Sequence, residues 1–299
     1  MLAHRLALST AVATAVLIVF GGLVTNTGAA LAVPDWPTTF GHNMFLFPWA
    51  GMVGGVFYEH SHRLLGALVG LLTVALAAAL WRRGGWLRRL GLVALATVVA
   101  QGVIGGLRVV LTTDTLAMVH GPLAQAFFAL VVSLAFVTSP AAARPLATID
   151  GGLRRLALVV VAALYGQIVL GALLTHGGWL SLHLAGAVLV LALAPVLTAR
   201  ARRGGDAVAA PLARTLLVLL AVQLALGVGA FLARFSSIWI PGEQLTMLVL
   251  PVSHRLVGSL LLATSVLMAL RLHGVPSAGA ADRARRDNVV TLAPGGARA

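Results

Sequence analysis

The stretch FYEHSHRLLGALVGLLTVALAAAL, residues 57–80, decides the fold class of this chain. After Arg63 it contains no charged residue, and it has the roughly 20 apolar positions that a helix needs to cross the hydrocarbon core of a bilayer. Seven further stretches share this character: 6–26, 87–110, 116–138, 156–175, 179–199, 212–233 and 246–270. The sequence therefore predicts an all-α integral membrane protein with eight transmembrane helices.

The composition agrees with this fold class. Of the 299 residues, 60% are hydrophobic and 10% are charged, against about 25% charged in soluble domains. Cysteine is absent, which excludes disulfides, thiolate metal sites, iron–sulfur clusters and covalent c-type haem attachment. The 21 basic residues are all arginine and give a net charge of +13. Their placement is explained by a lipid bilayer, and we expect no nucleic-acid partner.

The arginines concentrate at alternate helix ends, in the segments 5, 82–89, 144–155, 200–214 and 271–298. Cytoplasmic loops of membrane proteins carry an excess of arginine and lysine. Both termini are therefore predicted to be cytoplasmic, and the loops 27–56, 111–115, 176–178 and 234–245 are predicted to face outward.

Residues 1–32 have an alternative interpretation as a cleaved signal peptide, because Ala30-Leu31-Ala32 resembles a cleavage site. The apolar run is longer than such a segment usually is. It also ends in Gly21-Gly22-Leu23-Val24-Thr25, which resembles Gly171-Ala172-Leu173-Leu174-Thr175 at the end of the fifth stretch. We therefore treat it as a helix of the mature protein.

The chain contains an internal duplication of residues 1–140 in residues 150–275. His62-Arg63-Leu64-Leu65-Gly66 opens the second helix and His254-Arg255-Leu256-Val257-Gly258 opens the eighth. A glutamine also precedes a glycine by four residues in helices three, five and seven. Such parallel repeats predict two pseudo-symmetric four-helix bundles with cofactor space inside each. Residues 139–153 form the predicted linker, and residues 276–299 a disordered cytoplasmic tail.

Four histidines are the main candidates for chemistry: His62, His120, His183 and His254. Each lies near the outer end of an even-numbered helix, so all four share one depth and each half contributes two. Two facing imidazoles hold haem iron by both axial positions. A single histidine at such a position is more often an interfacial side chain, but the paired arrangement favours ligation.

Other residues of the pattern suit a bound macrocycle. Arg63 and Arg255 directly follow histidines and are candidates for binding haem propionates. Glycines allow helices to approach closely and leave room for a flat ring; they occur at 66, 102, 105, 106, 121, 171, 186, 227, 229 and 258.

Glu59 distinguishes the two halves. It precedes His62 by three residues, which places both side chains on one helix face, whereas the corresponding position before His254 is Pro251. A carboxylate beside a macrocycle moves protons or stabilises developing positive charge. The alternative is an interfacial carboxylate that pairs with Arg63. His60 is expected to point elsewhere, toward the interface.

The chain resembles the haem A synthase family. The resemblance rests on the motifs Gly21–Thr25, Pro34-Asp35-Trp36-Pro37, Tyr58-Glu59-His60-Ser61-His62-Arg63, His120-Gly121-Pro122, His183 and His254-Arg255. It implies oxidation of the C8 methyl group of haem O to the formyl group of haem A, in two steps, for cytochrome oxidase biogenesis. It further implies that His62 and His120 flank the substrate haem, that His183 and His254 hold haem b, and that Glu59 is essential.

The same resemblance implies a setting for the protein, namely a bacterial plasma membrane, a haem O synthase partner and an electron acceptor, for which a quinone is one candidate. Many relatives carry a cysteine pair in the first outer loop, where this chain has Val33 and Thr39. A loop that includes Asp35, Trp36, His42 and Phe45 is then expected to cover the haem by packing alone.

Three other functions compete with this interpretation. A bis-histidine cytochrome b that transfers electrons without modifying haem explains the histidines equally well. A transporter explains the repeat, but predicts helices broken near the bilayer midplane; Pro195 is the one proline expected well inside a span. An assembly factor that acts only through partners would carry no redox-active haem.

Overall fold

The computed structural model describes residues 1–236 and 242–279, and within them the chain is all-α, without a named strand. The helices are α1 Leu2–Asn26, α2 Gly54–Trp81, α3 Gly85–Leu111, α4 Asp114–Val137, α5 Gly151–Gly177, α6 Leu180–Arg203, α7 Ala209–Phe235 and α8 Glu243–Leu272. Short 3-10 helices lie at Met44–Leu46, Trp49–Gly51 and Pro140–Ala143. Within these described residues, eight helices are long and apolar enough to cross a membrane, which confirms the predicted fold class.

The helices pack as two groups of four. In the first group α1 contacts α2 and α4, and α3 contacts α2 and α4; α5 to α8 repeat this pattern. The groups meet through contacts of α4 with α8, α1 with α8 and α4 with α5. This set of pairs is unchanged when α1–α4 are exchanged for α5–α8, as expected of a duplicated chain. At the contact of α4 with α8, the buried Ser259 hydroxyl donates to Oε1 of Gln125 at 3.0 Å.

Prolines do not break the helices that contain them. Pro122, Pro195 and Pro251 all lie inside continuous helices, so the expectation that Pro195 would be the one such proline was wrong. The even-numbered helices therefore carry their histidines on uninterrupted α-helix. The predicted disordered tail lies mostly in residues 280–299, outside the described part of the chain.

The connection between the two groups is fixed by a buried ion pair. Arg271, at the end of α8, lies 2.7 Å from Asp206 of the α6–α7 turn, and both side chains are at most 5% exposed. Arg271 also donates to the carbonyl oxygens of Arg144 and Pro145, and Asp206 accepts from the amide of Ala147. The segment after α4 is thereby attached to the second group of helices.

Candidate functional site: two histidine pairs at the ends of the helices

Each of the four histidines packs against a glycine on the preceding helix. The distance from a Cβ added to that glycine to Cε1 of the histidine is 3.1 Å for Gly21 and His62, 3.1 Å for Gly105 and His120, 3.4 Å for Gly171 and His183, and 3.0 Å for Gly227 and His254. We call these four the cradle glycines. A glycine lets the imidazole lie close to the neighbouring helix, most tightly at Gly21, Gly105 and Gly227. The structure thus contains four similar helical hairpins, each with one glycine and one histidine.

The histidines form two facing pairs, as the duplication predicts. The ring centroids are 6.4 Å apart for His62 and His120, and 6.3 Å apart for His183 and His254. The planes within each pair are inclined by 71° and 65°. Whether a ligand fits between the two rings of a pair depends on what else each ring contacts.

The spacing within each pair fits two imidazoles on a single metal ion. With a metal–nitrogen bond of about 2.0–2.1 Å and roughly 1.2 Å from the nitrogen to the ring centroid, two opposed rings have centroids about 6.4–6.6 Å apart. In the first pair, Nδ1 of His62 and of His120 is buried without a hydrogen-bond partner in the described chain. The described residues contain no group of three or more histidine, cysteine, aspartate or glutamate side chains that suits a metal ion. The residues present therefore fit axial ligation of haem and not an all-protein metal cage.

Glutamines contact three of the four histidine residues. The amide of Gln101 donates to the carbonyl of His120 at 3.1 Å, and that of Gln167 to the carbonyl of His183 at 2.9 Å. The amide of Gln223 lies 3.1 Å from Nε2 of His254. Each glutamine is four residues before a cradle glycine, so the predicted glutamine–glycine spacing belongs to the histidine sites.

Glu59 and Arg63 bind the α1–α2 loop, residues 27–53. Glu59 is 5% exposed; its Oε2 accepts from the amide of Val33 at 2.9 Å and its Oε1 lies 2.8 Å from Nη2 of Arg63. The Arg63 guanidinium donates further to the carbonyls of Val33, Asp35 and Thr38 at 3.0, 2.7 and 3.0 Å. The ion pair of Glu59 with Arg63, which was the alternative to a role of Glu59 in chemistry, is therefore present. Both terminal nitrogens of Arg63 have partners in the loop, in place of the propionate that the sequence suggested.

The α1–α2 loop is ordered around Asp35. Its carboxylate accepts from the amides of Phe40 and Gly41 at 2.7 and 2.8 Å and from the Thr38 hydroxyl at 2.5 Å. Burial raises the pKa of Asp35, but the hydrogen bonds from Gly41, Thr38 and Phe40 outweigh it and lower the pKa to about 2. The carboxylate is thus held ionised as the centre of a tight turn.

The loop lies directly on the first group of helices. The ring of Trp36 occupies the position next to Gly106, where an added Cβ would lie 2.2 Å from Cδ2. Val33 and Thr39 are both fully buried. The loop thus lies on the N-terminal end of α2 and the C-terminal end of α3 through hydrogen bonds as well as packing, where packing alone was expected. That it covers a haem stays a prediction.

His60 is part of this contact and not an interfacial side chain. It is 1% exposed, its Nδ1 lies 3.1 Å from the hydroxyl of Thr39, and its ring centroid is 5.1 Å from that of Phe47. The expectation for His60 was wrong because the spacing along α2 does not reveal which loop folds over the helix.

Two half-buried arginines remain near the histidines. Arg108 lies one turn beyond Gly105 on α3, and Arg255 places Nη1 3.5 Å from the Cβ position of Gly22 on α1. Neither guanidinium donates a hydrogen bond within the described residues. The role of Arg255 as a propionate partner stays a prediction, and Arg108 is a further candidate in the first half.

The similarity of the chain to known proteins is a second line of evidence beside the geometry of the site. Residues 4–181 match the model of the cytochrome oxidase assembly protein family, COX15-CtaA, which is more than half of the chain. The chain belongs to this family. It is also similar to the haem A synthase of Shouchella clausii (strain KSM-K16), with 32% identity over 135 residues, which covers 44% of this chain and 44% of that relative.

The COX15-CtaA match covers the first group of helices from residue 4 onward and ends before His183. Glu59, Arg63, His62 and His120 therefore lie within it, whereas the second histidine pair is supported by the duplication and by its own geometry. Gly21 was not recognised as a cradle glycine from the sequence. The alignment of Gly21–Thr25 with Gly171–Thr175 contained that signal, since Thr25 and Thr175 also donate to the carbonyls of Gly21 and Gly171 at 3.0 and 2.9 Å.

Proposed function

We propose that this protein is a haem A synthase, an oxidoreductase that converts the C8 methyl group of haem O to a formyl group in two steps. One observation carries the proposal: among the described side chains, two histidine pairs have the spacing of axial ligands, and the buried carboxylate of Glu59 lies three residues before a histidine of the first pair. Membership in the COX15-CtaA family and similarity to a haem A synthase support it.

In this proposal each pair has its own haem. His62 and His120 flank haem O as the substrate, and His183 and His254 hold haem b. A haem b bound there would supply one-electron transfer. The cradle glycines orient the half-buried imidazole rings of both pairs.

Glu59 is the proposed acid–base residue. The methyl group loses protons as it is oxidised, and a carboxylate three residues before an axial ligand is placed to accept one or to stabilise positive charge. In the structure Arg63 neutralises Glu59 and the Val33 amide orients it.

The remaining expectations belong to the same proposal. The protein would lie in the bacterial plasma membrane with both termini cytoplasmic. It would receive haem O from a haem O synthase and pass electrons to an acceptor such as a quinone. The concentration of arginine at alternate helix ends supports the orientation.

An electron-transfer cytochrome b is the second candidate. The observation that favours it is the engagement of both Glu59 oxygens by Arg63 and Val33, which a purely structural carboxylate would also show. In that case Glu59 would only attach the α1–α2 loop to α2, and haem would leave the protein unchanged.

The test is to express the chain in a host that makes haem O, extract the haems, and identify them by mass and by pyridine haemochrome spectrum. We expect haem A or its hydroxylated precursor. With Glu59→Gln, which keeps the shape of the side chain but leaves one acceptor oxygen where Val33 and Arg63 each had their own, we expect bound haem and no product. Haem b alone, with haem O untouched, would favour the cytochrome.

Thr39→Val is the matched control, because it removes a contact between the same loop and α2 without touching Glu59. We expect this variant to retain product formation. If Glu59→Gln and Thr39→Val lost haem and product together, Glu59 would be a loop anchor and not the acid–base residue.

A further inference from the structure

A cavity of about 430 Å³ lies where α6 ends and α7 begins, at the end of these helices that is opposite to the histidine level. Among the described residues that line it, three are arginines and none is acidic. The other two are alanines, whose small side chains leave space beside the guanidinium groups. The lining residues are Ala199, Arg202, Arg203, Ala210 and Arg214.

The three arginines lack a counter-charge in the part of the chain that the structure describes. None of their side chains donates a hydrogen bond or forms an ion pair there. The turn between α6 and α7, residues 204–208, contains one acid, Asp206. Asp206 does not neutralise the arginines, because it pairs with Arg271 at 2.7 Å and its side chain is 1% exposed. Three positive charges therefore border one cavity.

A neighbouring cavity provides a contrast. Its volume is about 310 Å³, and Arg203 lines it as well. The other charged residues of its wall, Arg200 and Asp150, pair with each other at 2.6 Å. Most of the unneutralised charge therefore lies at the first cavity, which we call the arginine cavity.

The wall of the arginine cavity continues into an exposed apolar surface on both helices. On α7, Ala210, Arg214 and Val218 follow one another at intervals of four residues, which places them on one helix face. Val218 is 63% exposed. On α6, Val196 precedes Ala199 by three residues and is 49% exposed. Because both helices are transmembrane, this surface meets the hydrocarbon of the bilayer.

We propose that the arginine cavity binds the headgroup of an anionic phospholipid, whose acyl chains lie along the exposed apolar faces of α6 and α7. A phosphate diester accepts paired, charge-assisted hydrogen bonds from guanidinium groups. Basic pockets between transmembrane helices bind anionic lipid headgroups in this way. A zwitterionic phospholipid also has a phosphate, but three uncompensated arginines repel its ammonium group. The cavity therefore distinguishes phospholipids by the net charge of the headgroup.

The turn between α2 and α3 offers a matched control. It corresponds to the α6–α7 turn in the duplicated fold, and Arg82 and Arg89 beside it are exposed. Neither of them lines the arginine cavity. Removal of two charges at each turn therefore separates binding in the cavity from the general attraction of anionic lipids to basic helix ends.

The test uses the full-length protein in detergent and native mass spectrometry, which counts bound lipid molecules. The probes are dioleoyl phosphatidylglycerol, which is anionic, and dioleoyl phosphatidylcholine, which has the same acyl chains and is zwitterionic. We expect one phosphatidylglycerol to bind more tightly than phosphatidylcholine. Arg202→Gln with Arg214→Gln should weaken this binding about 25-fold, or about fivefold for each arginine. Arg82→Gln with Arg89→Gln should change it little.

Ala199→Leu tests the cavity without a change of charge. Ala199 is exposed on α6, so a leucine there occupies space in the cavity without entering the core. We expect this variant to lose the tightly bound phosphatidylglycerol although all three arginines remain. The melting temperature in detergent without added lipid shows that each variant is folded.

The proposal is overturned if the two double variants weaken phosphatidylglycerol binding equally, since the attraction would then be general. It is also overturned if Ala199→Leu binds this lipid as the unchanged protein does, or if phosphatidylcholine binds as tightly. Complete displacement of the lipid by millimolar inorganic phosphate would show that the cavity takes a free phosphate ion, which would contradict the proposal as well.

Discussion

At the scale of single residues, the site depends on what the cradle glycines lack. A membrane helix gains no hydrophobic driving force from packing against another helix, so close contact between small residues becomes important. Here a glycine meets an imidazole edge, and in three of the four hairpins an added methyl group would lie 3.0–3.1 Å from Cε1, so that the ring would have to shift by a few tenths of an ångström. The glycines thus fix the rotamer of each histidine. A metal site requires the positions of its ligand atoms to be held within about 0.5 Å.

The second half offers a matched pair of substitutions. In Gly227→Ala the new Cβ would lie 3.0 Å from Cε1 of His254, so the ring must move; in Gly171→Ala the distance to His183 is 3.4 Å, an ordinary contact. We expect Gly227→Ala to weaken haem binding in this half by about tenfold, which is at the low end of the loss seen when a residue that orients a metal ligand is changed. We expect Gly171→Ala to change haem binding little. Soret titration in a His62→Ala background measures both. Equal losses would mean that the glycines do not position the imidazoles.

At the scale of helices and loops, the predictable part of the structure is the part with local signals. The eight helices follow from apolar length, and the pairing of His62 with His120 follows from their shared depth. The α1–α2 loop does not follow from the sequence. Its conformation depends on hydrogen bonds from Arg63 to backbone carbonyl oxygens some 25 to 30 residues away. Every residue has such a carbonyl, so the sequence does not show which ones Arg63 binds. The burial of His60 was missed for the same reason.

The turn around Asp35 should make loop stability depend on pH. The pKa of Asp35 is lowered from 3.8 to about 2, so ionised Asp35 stabilises the folded loop above pH 3.8, and this stabilisation is lost as the pH falls through about 2. We expect Asp35→Asn to lower the melting temperature at neutral pH, with the difference from the unchanged protein closing between pH 4 and pH 2. Asp114→Asn, whose side chain is 76% exposed, is the control and should change little. A difference independent of pH would show that the turn does not depend on the charge.

At the scale of the whole molecule, the two groups of helices are joined on both sides of the histidine level. Near that level, Arg255 of α8 reaches Gly22 of α1, so the second half touches the helix that carries a cradle glycine of the first. At the far end, the ion pair of Asp206 and Arg271 holds the segment that connects the halves. Burial raises the pKa of Asp206, but hydrogen bonds from Arg271 and nearby amides outweigh it and hold the pKa well below its usual range. Contacts at both ends thus hold the two groups of helices, and with them the two histidine pairs, against each other.

Removal of one member of this ion pair should destabilise the whole protein, because a buried charge would be left without its partner. We expect Arg271→Leu to cost about 3–5 kcal/mol and to expose the segment 144–150 to protease, as measured by thermal unfolding in detergent and by limited proteolysis. Arg200→Leu is the control: Arg200 pairs with Asp150 at 2.6 Å, but these side chains are 44% and 64% exposed, and such surface pairs contribute about 0–1 kcal/mol. The double variant Asp206→Leu with Arg271→Leu should recover part of the loss, since no unpaired charge remains. If Arg271→Leu and Arg200→Leu had the same small effect, the ion pair would not join the halves, and the contacts of α4 with α8 and of α1 with α8 would have to hold the halves together alone.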